Sequence, residues 1–113
     1  MSGADDVKEI FEKMPEAFLP EKAGNLDVTI QIILSGEGGG QWMLKIANGQ
    51  ISIDEGLADS PKLTLTMAAS DYVALSRGEA SAMNLFMAGK IKVEGDVTLA
   101  IKFEEMFDKD YQS

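Results

Sequence analysis

The stretch Trp42-Met43-Leu44-Lys45-Ile46-Ala47-Asn48-Gly49-Gln50-Ile51-Ser52-Ile53-Asp54 decides the fold. Side chains alternate across a β-strand, so Trp42, Leu44 and Ile46 share one face and Met43, Lys45 and Ala47 the other. Ile51 and Ile53 alternate with Ser52 and Asp54 in the same way. Between the two runs, Asn48-Gly49 supplies residues that tolerate positive φ, which a type I′ hairpin turn requires at both positions. The segment therefore reads as a hairpin with one apolar and one polar face.

The same alternation continues on both sides. From Asn25, Leu26, Val28, Ile30, Ile32 and Leu34 alternate with Asp27, Thr29, Gln31 and Ile33, and the glycine-rich Ser35–Gly40 turns the chain into the hairpin. After a loop holding Gly56 and Pro61, Leu63, Leu65 and Met67 alternate with Lys62, Thr64 and Thr66. A fifth, short strand sets Ile91 and Val93 against Lys90, Lys92 and Glu94 and ends at Gly95. Helices fill the remainder. Val7, Ile10, Phe11 and Met14 recur at helical spacing behind Asp5 and Asp6, and Pro15 is expected to end that helix. Loose helical turns follow from Pro15 to Ala23, interrupted by Pro20 and left at Gly24. Ser70 is read as the N-cap of a helix Asp71–Arg77 closed by Gly78. Ala80–Ala88, carrying Met83, Phe86 and Met87, ends at Gly89. Asp96 caps a last helix whose broad apolar face is Val97, Ala100, Ile101, Phe103, Met106 and Phe107, with a frayed 108–113 beyond it. A sheet apolar on one side only needs helices on that side and meets solvent on the other, which makes this a two-layer α+β sandwich.

Composition narrows the function. The chain has 113 residues, 45% of them apolar, which suits one domain. Its net charge of −9 repels nucleic acid and anionic membranes at long range. It contains no histidine and no cysteine, so the commonest general base and metal ligand, the thiolate nucleophile and any Cys-based zinc site are missing. No cofactor, metal or catalytic residue is expected. The first residues lack a basic and an apolar signal region, the last three are not the peroxisomal Ser-Lys-Leu address, and no apolar run approaches the ~20 residues of a membrane span. A cytoplasmic chain without stable membrane insertion is the default expectation.

Individual motifs have ordinary structural readings. Gly36-Glu37-Gly38-Gly39-Gly40 lacks the Lys-Ser/Thr of a P-loop and joins two strands, so it reads as a hairpin loop. The carboxylates of Asp54-Glu55 and Glu104-Glu105 point to different faces and read as solvated charge. Ser76 has no histidine to activate it, and Arg77, the single arginine, suits a helix C-terminus. Seven methionines are compatible both with core filling and with an adaptable hydrophobic site.

Gly39-Gly40-Gln41-Trp42, Ala47-Asn48-Gly49, and Leu63-Thr64-Leu65-Thr66-Met67 followed by Ser70-Asp71-Tyr72 together resemble the sterol carrier protein type two family. The closest stretch is Ala74-Leu75-Ser76-Arg77-Gly78 with Phe86-Met87-Ala88-Gly89-Lys90-Ile91-Lys92-Val93-Glu94-Gly95-Asp96 and Leu99-Ala100-Ile101-Lys102, which is similar to the family's Gly-Lys-Leu-Lys-Ile-x-Gly-Asp block and its flanks. The resemblance covers about residues 7 to 107. It implies a single lipid-binding domain over 1–113 with an ordered core of about 5–107. Its fold would be a five-stranded mixed β-sheet, α-helices covering one face, with a hydrophobic tunnel between the layers. The tunnel would hold a fatty acid, fatty acyl-CoA, sterol or similar ligand for binding and transfer without catalysis. The alternative is an interaction or dimerisation module that turns the same apolar surface toward a second copy or a lipid-metabolising enzyme.

The candidate lipid-binding residues combine the apolar sheet face with the helices able to cover it. Ile30, Ile32, Trp42, Leu44, Ile46 and Met67 come from strands. Leu75, Met83, Phe86, Met87, Ile101 and Met106 come from helices. The last helix is the expected gate. About 0.8 kcal/mol per buried CH₂ gives a dozen methylenes about 10 kcal/mol gross. Association costs reduce that to roughly micromolar binding. A dry, empty tunnel of about 400 Å³ would cost about 10 kcal/mol at the rate measured for mutational cavities. The ligand-free protein is thus expected to collapse its tunnel partly, admit water or retain a lipid.

Overall fold

The computed structural model describes residues 3–77 and 79–106. In chain order the elements are α1 (Gly3–Ala17), α2 (Pro20–Ala23), β1 (Val28–Ser35), β2 (Gly40–Ala47), β3 (Gln50–Glu55), β4 (Leu63–Ala68), α3 (Ala69–Ser76), α4 (Ala82–Met87), β5 (Lys92–Gly95) and α5 (Val97–Glu105). The strands form one mixed sheet in the order β3-β2-β1-β4-β5. β1 pairs antiparallel with β2 and parallel with β4, while β2–β3 and β4–β5 are antiparallel. The α+β architecture expected of the sequence is present.

Register places the apolar residues side by side. Ile30 lies opposite Leu44 and beside Leu63, Ile32 opposite Trp42 and beside Leu65, and Leu34 beside Met67. Ile30, Ile32, Leu44, Ile46 and Leu63 are completely buried. Their cover comes from Val7 and Phe11 of α1, Ala69 and Tyr72 of α3, Leu99 and Phe103 of α5, and Met106 just beyond it, all buried. The hairpin turn is as expected, with positive φ at both Asn48 (55°) and Gly49 (71°). Asp96 caps α5 by accepting a hydrogen bond from the Leu99 N–H at 3.1 Å.

Local expectations fail at several helix ends. Pro15 does not stop α1, which runs on to Ala17. A proline in a last turn removes one N–H and keeps a helical φ, so the chain can continue. Pro20 opens α2 at its first position instead of interrupting a helix. Ser70 caps nothing: β4 passes directly into α3, Ala68 takes the N-cap position without a side-chain bond, and Ser70 lies inside the helix. α4 starts later than expected, at Ala82, with Ser81 accepting from the Asn84 N–H. Gly78, Phe107 and the expected frayed 108–113 lie outside the described residues.

The polar sheet face is not fully open to solvent. Gln31 points away from the helices yet is only 2% exposed. Its Nε2 donates to the carbonyls of Trp42 (3.1 Å) and Gly56 (2.9 Å), and its Oε1 accepts from the Ala58 N–H (2.6 Å). The connection from β3 to β4 must cross β2 and β1, and Gln31 holds it against the sheet. Lys62 N–H donating to Thr29 O at 2.9 Å fixes its far end. Gln31→Ala strands the Ala58 N–H and two carbonyls. It should lower stability by about 2–3 kcal/mol, read as a lower urea midpoint at unchanged m-value.

Candidate functional site

Where α1 lies over β2 and β3, three aromatic rings stack. Phe11 occupies the buried stripe of α1 one turn from Val7, Trp42 stands on the apolar face of β2, and Tyr72 projects from α3. The Phe11 and Trp42 ring centroids are 4.3 Å apart at 22°, and those of Phe11 and Tyr72 are 5.3 Å apart at 18°. Each such contact contributes about 0.5–1.5 kcal/mol beyond area burial. Tyr72 is buried, and desolvation pushes its phenol above the ordinary value of 10.0. The Trp42 indole N–H is also buried and has no acceptor among the described residues.

Beside this stack lies free volume. A groove of about 300 Å³ runs between α1 and the sheet edge, lined by Phe11, Trp42 and Ile53 below and by Lys8, Glu12 and Glu55 along its rim. A neighbouring pocket of about 80 Å³ is bounded by Val7, Lys8, Gly38–Gly40, Gln41, Trp42 and Glu55. The groove has an apolar floor and a charged lip. Glu55 belongs to it because its register partner is Trp42 on the helix-facing side of the sheet.

The expected lipid-binding residues divide into three groups. Ile30, Ile32, Leu44, Ile46, Met67 and Met106 are buried between the layers, and Trp42 and Leu75 are half-buried. Of the twelve, Trp42 alone borders the groove. Met83, Phe86, Met87 and Ile101 stand 50% to 78% exposed. Helical geometry explains them. Leu85 is the one buried residue of α4, and Met83 and Met87, two positions away on either side, face outward. In α5 the buried Leu99 and Phe103 are four apart, so Ile101 midway between them faces outward.

Several groove residues were absent from that set. Phe11 and Ile53 carried a signal, since both lie on apolar stripes. Lys8, Glu12 and Glu55 carried none, because their relevance depends on how α1 crosses the sheet. The remaining motifs keep structural roles. Ser76 Oγ donates to the Val73 carbonyl at 2.8 Å, and Arg77 occupies the C-cap of α3. Arg77 also adds to the attraction, chiefly from Lys13, that lowers the pKa of Glu9 on α1.

The expected gate is tightly held. The Leu19 N–H donates to the Met106 carbonyl at 2.7 Å, and Met106 is completely buried. The groove described above borders α1.

Comparison with known proteins gives a consistent picture. Residues 7–108 match the SCP-2 sterol transfer family. Hydroxysteroid dehydrogenase-like protein 2 of Mus musculus is 32% identical over 102 residues, covering 88% of this chain and 21% of its own length. The chain spans 19% of the protein of the same name from Rattus norvegicus and 31% of that from Pongo abelii. The palmitated sterol carrier protein 2-like 2 of Aedes aegypti superposes with a TM-score of 0.73 at 26% identity, covering 93% of each chain. The sec-alkylsulfatase Pisa1 from Pseudomonas sp. shares the fold, with a TM-score of 0.78 at 16% identity, over 88% of this chain and 16% of its own.

Because Tyr72 is protonated in the folded chain above the pH at which it ionises in the unfolded one, its contribution to stability is complete below pH ~10 and is lost as pH rises further. Urea midpoints between pH 9 and 11 should fall more steeply for the native chain than for Tyr72→Phe.

Proposed function

Because the chain belongs to the SCP-2 sterol transfer family, we propose that it binds one lipid molecule without chemical change and passes it on. The observation that carries this reading is the groove floored by Phe11, Trp42 and Ile53, which opens beside the apolar interlayer. Its volume lies at the lower end of small-molecule sites, roughly 300–1,000 Å³. It accepts part of a lipid, and the rest follows when Phe11 parts from Trp42.

Magnitudes favour that step. Breaking one aromatic contact costs about 0.5–1.5 kcal/mol, whereas each methylene withdrawn from water contributes about 0.8 kcal/mol. Two methylenes compensate the opening. A tail that advances further meets Ile32, Leu44, Met67 and Leu75, then Ile30, Ile46 and Met106. The palmitated Aedes aegypti relative supports a fatty tail as the guest. The lack of histidine and cysteine and the internal bond of Ser76 support a binding role. Cytoplasmic work as one domain is part of the same proposal. No helix among the described residues is long and apolar enough to cross a membrane.

A second reading has one observation in its favour. Met83, Phe86 and Met87 expose apolar surface on α4 that no element among the described residues covers, and such a face suits contact with another domain or a second copy.

Trp42 is the single tryptophan, so lipid uptake should shift its emission. A fluorescent fatty acid should bind the delipidated chain at micromolar concentration, and native mass spectrometry should show one lipid per chain. Ile53→Glu puts a charge on the groove floor and should weaken uptake at least tenfold with unchanged circular dichroism. No emission change and no bound lipid at tens of micromolar would defeat the proposal, and a concentration-dependent mass without lipid would favour the second reading.

A further inference from the structure

The two edges of the sheet differ in charge. β3 and β5 end the strand order, and each pairs with a single neighbour among the described residues. An edge strand presents unpaired N–H and C=O groups to any strand that comes alongside, and like charges guard it. β3 carries Asp54 and Glu55 and no cation, so two β3 edges repel. β5, Lys92-Val93-Glu94-Gly95, carries one charge of each sign. Residues 80–93, which lead into and enter it, hold Lys90 and Lys92 and no carboxylate, although the whole chain has a net charge of −9. The general repulsion between copies of an acidic chain is therefore weakest here.

The backbone of β5 is set for pairing. The Asp96 N–H donates inward to the Lys62 carbonyl at 3.1 Å. Alternation then turns the N–H and C=O of Lys92 and Glu94 toward β4 and those of Val93 away from the sheet. An antiparallel copy of β5 centred on Val93 exchanges both bonds with its counterpart. It also sets Lys92 of each strand opposite Glu94 of the other, at the close spacing of a non-hydrogen-bonded pair. Both side chains are exposed, and within one strand their charged atoms already lie 3.8 Å apart. The strand is thus complementary to itself, as a two-fold contact requires. That axis runs perpendicular to the sheet, so the helical layers of both chains fall on the same side. There α4, which leads into β5, exposes Met83, Phe86 and Met87. The β3 edges, with their grooves, end up at the two far ends of the joined sheet.

We propose that the β5 edge is a contact between two copies of this chain, an antiparallel two-fold pairing held by the Val93 backbone and by reciprocal Lys92–Glu94 ion pairs. This rests on the second reading above, whose partner it specifies, and does not depend on lipid binding. A four-residue strand and a six-residue helix make a small contact beside the roughly 800 Å² per partner of a standard interface. The dimer is accordingly weak, with a dissociation constant of about 10–100 µM.

The test is sedimentation equilibrium of the full chain from micromolar to about 500 µM, a range that brackets the expected constant. The native mass should climb from 12.2 kDa toward twice that value. Lys92→Glu and Glu94→Lys each set like charges opposite one another twice across the two-fold axis, and each should weaken association at least tenfold. Mixed one to one, the two variants regain opposite charges and should recover the native affinity, which a merely structural role of either residue does not give. Val93→Pro deletes the outward N–H and leaves the bonds to β4 in place, so it should abolish the dimer with unchanged circular dichroism. A chain that stays monomeric up to about 500 µM overturns the proposal, as do charge variants that dimerise like the native chain or a mixture that fails to recover. If such a persistent dimer is lost in Phe86→Ser, the α4 contact of the second reading stands while the strand pairing falls.

Discussion

A sheet with one apolar face has to be covered, and the chain has few helices for the task. β1, at the centre of the sheet, is sealed on that side: Ile30 and Ile32 have no exposed surface. α3 and α5 cover the β4–β5 side, and α1 packs toward the β3 edge. Its hold there depends on Phe11, seated between Trp42 and Tyr72. Beyond that ring the cover runs out, Ile51 and Ile53 are only half-buried, and the groove begins. The site is thus a consequence of incomplete cover at one edge.

Incomplete cover has an energetic logic. A dry tunnel large enough for a lipid would consume about as much free energy as a small domain has, some 5–15 kcal/mol. A filled core with a shallow groove avoids that cost, and on the proposed lipid-binding reading the guest creates the larger volume. The stacked rings suit the arrangement because flat faces can separate and close again without leaving hydrogen bonds unmade. Gln31 on the opposite face has the converse role: three hydrogen bonds lock the crossover against the sheet.

Much of the framework was legible in the sequence because its signals are local. The Asn48-Gly49 turn, the Asp96 cap and the alternation of Ile30, Ile32, Leu44 and Ile46 each depend on a few neighbouring residues. The helix ends were harder. Ser70 resembles a cap, but β4 runs straight into α3 and the loop a cap would need does not exist. Gln31 looked like one of several polar residues on an open face, and nothing local says that the β3–β4 connection passes beneath it. Of the twelve expected lining residues only Trp42 borders the groove, for the same reason. Apolar periodicity marks what is buried, but the junction of α1 with β3 is set by packing between segments some forty residues apart.

Which helix moves follows from how each is held. At the end of α5, Met106 is wholly buried and its carbonyl accepts a short bond from the backbone at Leu19. Moving it exposes a completely buried methionine and leaves a backbone acceptor to be rehydrated. α1 meets the β3 edge through side chains, with Phe11 as the principal anchor and Ile10 and Met14 half-buried behind it. Its first contact with a guest is already present as open volume. Phe11 meets Trp42 by ring stacking, whereas a tilt of α5 breaks the Leu19–Met106 bond. The same Leu19 bond ties the far end of α1 to Met106, whereas the end that borders the groove is held by the side-chain packing of Val7 and Phe11.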